Sequence, residues 1–165
     1  MILSAIAAMA KNRVIGNAGG LPWSIPEDMK FFRDMTINHI MLMGRKTFES
    51  FPGLLPKRLH VVITRQKDFQ PAGVHVFNDI TSALEFCKTQ TAQWGEEVFI
   101  VGGGQIYKEL LPMTDRIYLT EIQKDIEGDA HFPELLPGEF QETARKHRQE
   151  PVPFDFVTYE RIRKQ

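Results

Sequence analysis

Short apolar runs, each followed by a longer polar stretch, constrain this chain more than any other feature. Ile2 to Ala8, Ile40 to Met43, Val61 to Thr64, Val98 to Val101 and Ile117 to Ile122 have the length of strands and little internal alternation. Runs of that kind suit strands covered on both faces, the situation of parallel strands joined by helical crossovers. The intervening segments Ile25 to Met35, Lys46 to Phe51, Ile80 to Thr89 and Gln105 to Leu111 read as short helices, each starting near a Ser, Thr, Asp or Gly. Phe140 to His147 and Phe154 to Ile162 alternate, and Pro151 and Pro153 lie between them, so they read as an antiparallel pair. The expectation is an α/β fold with a mostly parallel mixed sheet of about eight strands, an antiparallel C-terminal edge and about four short helices.

A chain of 165 residues has the size of one domain, spanning 1–165, and buries roughly 68–70% of its unfolded surface. Its 20 basic and 21 acidic residues are interspersed and leave a net charge of −1. Without a block of like charge to neutralise phosphates, nucleic-acid binding is not expected. The apolar N-terminal stretch is short and lacks a preceding basic segment, so it reads as a buried strand, and a cytoplasmic protein without membrane contact is expected. No heptad pattern marks an assembly element, which favours a monomer. Cys87, at helical spacing from Ala83 and Leu84, reads as a packing residue. His39, His60, His75, His131 and His147 lack metal-ligand spacing, and no metal site is predicted.

Glu27 and Asp28 are adjacent in sequence but not in role. Ser24 followed three residues later by Glu27 has the spacing of a capping box, which gives Glu27 a structural task. Positions three, four and seven beyond Asp28 are Phe31, Phe32 and Met35, so its carboxylate falls on the apolar stripe. Two readings of Asp28 follow from spacing: a solvated first-turn acid favoured by the helix dipole, or a desolvated acid with a chemical role.

Gly102, Gly103 and Gly104 end an apolar run and open a helical segment. They offer close backbone approach and amide donors, although any strand-to-helix turn can use them. The third glycine of a GxGxxG fingerprint would fall on Tyr107, so that type of dinucleotide domain is not supported. Gly44-Arg45-Lys46-Thr47 is a second strand-to-helix turn with two cations, readable as a phosphate site or as a solvated surface turn. Gly16 to Gly20 reads as a mobile loop or as a plain connection.

Four motifs in order, LPWSIPEDMKFF, MGRKTFESF, VFIVGGGQIY and EGDAHFP, resemble those of dihydrofolate reductases and spread over most of the chain. The resemblance implies NADPH-dependent hydride transfer to C6 of 7,8-dihydrofolate with protonation of N5, and binding of antifolates. It implies that Asp28 orients the pterin through its 2-amino group and N3. Thr120 would support Asp28, Trp23 would help hold a water, and Leu21 would lie on a loop from Ala10 to Ile25 that closes over the nicotinamide. The substrate pocket is expected to be lined by Ile6, Ala7, Ala8, Met29, Phe32, Phe51, Leu55, Val101 and Tyr107. Arg58 would grip the α-carboxylate of the glutamate tail, since a guanidinium holds a carboxylate through two parallel hydrogen bonds.

For the cofactor the resemblance implies Ala8, Ile15, Gly20, Gly44, Arg45, Lys46, Thr47, Thr64, Arg65, Gly102, Gly103, Gly104, Gln105, Ile106 and Tyr107. Arg45 and Arg65 fall where the adenosine 2′-phosphate is expected, which favours NADPH over NADH. Gln105 stands where an arginine is often found in the family, which leaves Arg65 to compensate. Two other functions are weighed against this one: a related reductase of riboflavin synthesis, which would lack the pterin acid, and a noncatalytic nucleotide-binding module. Asp28 and Arg58 argue against the first, and the absence of GxxxxGK[ST] argues against a phosphoryl-transfer enzyme built on the glycine turn.

Overall fold

The computed structural model describes residues 1–16 and 23–163. Residues 17–22 of the expected covering loop, Gly20 and Leu21 among them, lie outside the described residues. Strands β1 (Ile2–Ala10), β3 (Ile40–Gly44), β4 (Leu59–Ile63), β5 (His75–Phe77), β6 (Glu97–Gly102), β7 (Arg116–Ile122), β9 (Phe140–Arg148) and β10 (Phe154–Arg161) form one eight-stranded sheet, ordered β5-β4-β3-β6-β1-β7-β10-β9. From β5 to β7 every pairing is parallel, and β10 runs antiparallel to both of its neighbours. Two short strands, β2 (Val14–Gly16) and β8 (Ala130–His131), pair separately. Among the described residues the α-helices are α1 (Pro26–Thr36), α2 (Arg45–Ser50), α3 (Ile80–Trp94) and α4 (Gly104–Leu110). The mixed α/β sheet with its antiparallel C-terminal edge is therefore as expected, and no described helix is long and apolar enough to cross a membrane.

Successive residues of the central strands feed two cores. Ile40 and Leu42 of β3, with Val98 and Ile100 of β6, pack on the α3–α4 side, while Met41, Met43, Phe99 and Val101 pack on the α1–α2 side. Because both faces are covered, the strands read as continuous apolar runs. Each such side chain contributes about 1.5–3 kcal/mol when fully buried. Cys87 packs in the α3–α4 core, where burial pushes its thiol up to about 12.

Helix α1 starts one residue later than its capping-box spacing suggests. Ile25, extended at φ −128°, is the N-cap, and Pro26 occupies the first helical turn with its φ preset for helix. The Ser24–Glu27 capping box is therefore not formed. Glu27 instead binds Arg148 of β9 at 2.9 Å. Helix α3 runs five residues past its expected end at Thr89 and stops at Gly95, whose φ of 94° suits glycine. Asp79 caps its start by accepting from the Ser82 amide at 2.7 Å.

Candidate active site

Strands β1, β3, β4, β6 and β7 run parallel, so their C-terminal ends share one edge of the sheet. Crevices of open α/β sheets form outside such ends. Ala8 of β1 stands beside Thr120 of β7 in register, and the Thr120 hydroxyl donates to Asp28 Oδ1 of α1 at 2.6 Å. The helical stripe predicted from spacing is thus real: Phe31, Phe32 and Met35 pack into the α1–α2 core, and Asp28 lies half-buried at its upper end. Burial raises the Asp28 carboxyl above its ordinary value, and the Thr120 hydrogen bond pulls against that shift without cancelling it. Asp28 is thus a first-turn acid that has lost much of its solvation.

Phe32 of α1 and Phe51 just beyond α2 face each other at 6.5 Å between ring centroids, and Leu55 and Val101 pack in the same layer. Ile6 is buried in that layer, whereas Met29 is 52% exposed at the rim. Ala7 points the other way, into the α3–α4 core, so its backbone alone borders the α1 side. Ile15, Ile106 and Tyr107 also pack there. Tyr107 reaches back across the sheet edge, its hydroxyl donating to the Ile6 carbonyl at 2.6 Å. Burial, reinforced by the nearby Asp28 charge, raises its phenol well above the usual tyrosine range and keeps it a donor. Trp23 packs beside Ile25, Ile122 and Phe154, and its indole N–H is buried without a partner among the described residues.

The two glycine turns meet at neighbouring strand ends, since Met43 pairs with Gly102 in register. Gly102 has φ 121°, and a Cβ there would sit 3.3 Å from the Thr47 hydroxyl and 3.4 Å from the Tyr107 ring. A Cβ on Gly44 would press Ile106 at 3.2 Å. Both turns therefore need glycine to leave their backbones open. Beyond them Gly44 is in register with Ile63, which brings Arg45 and Lys46 close to Thr64 and Arg65 at the ends of adjacent strands. Arg45 stacks over Phe69 at 4.4 Å and pairs with Glu49 at 3.3 Å, while Lys46 and Arg65 are exposed. Gln105 turns along its helix and donates to Glu109 at 2.9 Å.

Arg58 lies just ahead of β4, against the C-terminal end of α1. Its Nε donates to Thr36 Oγ1 at 3.0 Å, Nη1 to the Pro56 carbonyl and Nη2 to the Arg33 carbonyl, both at 2.7 Å. A guanidinium has five N–H groups, so one remains on each terminal nitrogen. Thr36 in turn donates to the Phe32 carbonyl at 2.8 Å and is fully buried. The sequence reading missed this buttress, although a threonine closing an apolar helical stripe was a visible signal. It also passed over His60, which occupies a core position of β4 between apolar neighbours. Among the described residues no group of His, Cys, Asp and Glu side chains is arranged to hold a metal ion.

The family model for dihydrofolate reductase matches residues 2–161. This chain belongs to the dihydrofolate reductase family. It is 37% identical over 164 residues to the dihydrofolate reductase of Bacillus subtilis, covering 97% of this chain and 95% of that one. To the type 3 dihydrofolate reductase of Salmonella typhimurium it is 41% identical over 145 residues, 88% and 86% of the two chains. Among solved structures, a dihydrofolate reductase from Enterococcus faecalis, complexed with NADP(H) and RAB-propyl, superposes with a TM-score of 0.88 at 34% identity. That match covers 97% of this chain and 96% of the other. In this chain the acid and the two glycine turns share the C-terminal edge of the sheet, whereas Arg58 stands just ahead of β4, at the opposite end of α1.

Proposed function

We propose that this chain reduces 7,8-dihydrofolate to 5,6,7,8-tetrahydrofolate with NADPH, and that Asp28 is its essential acid. The observation that carries the reading is the Thr120–Asp28 pair: a half-buried carboxyl, its pKa raised by burial, at the C-terminal edge of the sheet. A neutral hydroxyl on one oxygen leaves the other free for a pterin, whose 2-amino group and N3 present two adjacent donors. Asp28 then fixes the ring, and Ile6, Ala8, Phe32, Val101 and the rim residue Met29 wall it from water. The buried Trp23 N–H suits a water that relays a proton toward N5, and a carboxyl with a raised pKa favours that protonation. When bound, the reduced nicotinamide supplies the hydride to C6.

The cofactor fits the residues present. Gly44, Gly102 and Gly103 leave a backbone cradle that a Cβ would fill, with the Thr47 hydroxyl at its wall. Lys46, Gly104, Ile106 and Ile15 border it, and the NADP(H) named for the Enterococcus faecalis relative supports the same class of cofactor here. Arg45 and Arg65, with Thr64 between the strand ends, suit a 2′-phosphate. Arg45 keeps its guanidinium in place by stacking on Phe69, and Gln105 is turned away toward Glu109. Arg58 presents two uncommitted N–H groups to a carboxylate tail, with Phe51 and Leu55 along the path from the pterin. Leu21 and Gly20 belong to this reading only through sequence, as does the loop they occupy.

The test is to follow NADPH absorbance with purified protein. Oxidation that requires dihydrofolate and is blocked by methotrexate or trimethoprim is the expected result. NADPH oxidation indifferent to dihydrofolate, or turnover of a riboflavin precursor instead, overturns the proposal.

A further inference from the structure

We infer that His60 is a positioning residue, whose ring ties the two ends of the Leu55–Arg58 segment and so sets where the Arg58 fork stands relative to the pterin acid. The inference rests on the reading of Arg58 as the carboxylate clamp. His60 lies on β4, 2% exposed, with Phe48 edge-on at 6.2 Å. Its Nε2 accepts the Leu55 amide at 3.2 Å, and the ring also hydrogen-bonds the Arg58 backbone. With Nε2 accepting, the neutral ring carries its proton on Nδ1, the atom left to reach Arg58. Burial, together with the Arg58 charge, holds the imidazole below the ordinary histidine range despite that backbone bond, which keeps Nε2 an acceptor.

A polar ring in an apolar layer costs stability unless both nitrogens are satisfied, and a valine or leucine would fill strand β4 more cheaply. What the histidine adds is two ties to one tetrapeptide. One ends at Leu55, in the pocket wall, and the other at Arg58, whose guanidinium is already locked by Thr36, Pro56 and Arg33. The side-chain ties aim the fork, and the His60 ties fix the backbone that carries it. Loosening that backbone blurs the spacing between fork and acid. A substrate that spans both must then bind less well, whereas a pterin without a tail has no need of the spacing.

The experiment compares dihydrofolate with 6-methyl-7,8-dihydropterin, which lacks the glutamate, at saturating NADPH. His60→Phe keeps the ring shape and removes both ties. KM for dihydrofolate should rise about tenfold, the loss of roughly 1.4 kcal/mol, with kcat and the KM for the dihydropterin within about twofold. His60→Gln returns an acceptor near Nε2, and His60→Asn returns a donor near Nδ1, so each should recover part of the loss. These two decide alone if His60→Phe does not fold. Equal KM increases for both substrates, a fall in kcat on both, or no change in any variant overturns the inference.

Arg58→Leu in the same assay separates the two claims. If it abolishes the preference for dihydrofolate while the His60 variants do not, the inference fails and the clamp stands. If it leaves that preference intact, the clamp reading fails and the inference falls with it.

Discussion

Asp28 and Asp155 both stand beside β7, on opposite faces of the sheet, and their surroundings treat them in opposite ways. Asp155 is paired across from Glu121 in β10 and receives hydrogen bonds from Arg145 and, at 2.6 Å, from His147 Nδ1. His147 and then Arg145 hold its carboxyl below the ordinary range. Asp28 meets the Thr120 hydroxyl as its one side-chain hydrogen-bond partner among the described residues, and burial raises it. A carboxylate held by an arginine and a histidine is complete within the fold. One with a single neutral partner is left to be completed by something else, and that face carries α1 and α2.

The contrast sets opposite signs of stability. Asp28 has a raised pKa in the folded state, so its ionisation opposes folding: the cost is absent below the ordinary value of 3.8 and is present in full above the raised folded value. Asp155 has a lowered pKa, so its contribution is present above 3.8 and is lost as pH falls through its folded value. At neutral pH the first acid destabilises the fold and the second stabilises it.

Asp28→Asn breaks the comparison most sharply. Turnover of dihydrofolate at neutral pH should fall at least about 100-fold, with the NADPH Kd changed by no more than a few-fold. The same substitution should raise the Tm at neutral pH and have little effect on it near pH 4, read by thermal melts across pH. Near-wild-type turnover removes Asp28 from the mechanism, and a lowered Tm at neutral pH removes the stability argument.

Thr120→Val probes the single partner. Without the hydroxyl the Asp28 carboxyl rises further, so activity, which should decline with rising pH as protonation of the bound pterin becomes scarce, should persist to higher pH in the variant. Efficiency at neutral pH should drop about tenfold, as expected for a lost hydrogen bond to a charged group. A pH–rate profile superimposable on that of the parent refutes the coupling.

The smallest effect is on the other face. Asp155→Asn should leave kcat within about twofold, because its partners lie on the face away from Asp28. It should lower the Tm at neutral pH by a few degrees, a deficit that closes as the pH falls through the parent's depressed Asp155 pKa. A loss of activity comparable to that of the Asp28 variant means that the two faces are not independent.

The strands were legible because both faces of the sheet are covered, so their apolar runs needed no tertiary information. The Asp28 stripe was legible for a similar reason: helical periodicity alone puts the acid above Phe31, Phe32 and Met35. The helix start was not, because Ser24 and Glu27 have capping-box spacing while the rigid φ of Pro26 sets the first turn one residue later, with Glu27 paired to Arg148 from the far end of the chain. The short strands β2, β5 and β8 were missed because each is held by a distant partner, too few residues long to show a period of its own.

Arg58 shows where the division lies. That an arginine follows Leu-Leu-Pro-Lys was plain in the sequence, and so was its suitability for a carboxylate. That three of its donors are spent on Thr36, Arg33 and Pro56, and that a buried histidine holds its backbone, came from contacts between α1, β4 and the intervening loop. Sequence by itself determined the layers, the apolar face of α1 and the family, because local periodicity and motifs depend on neighbours along the chain. Tertiary structure decided which acid is left incompletely paired and which arginine is aimed. Desolvation and hydrogen-bond completion depend on residues that meet only when the sheet closes its edge.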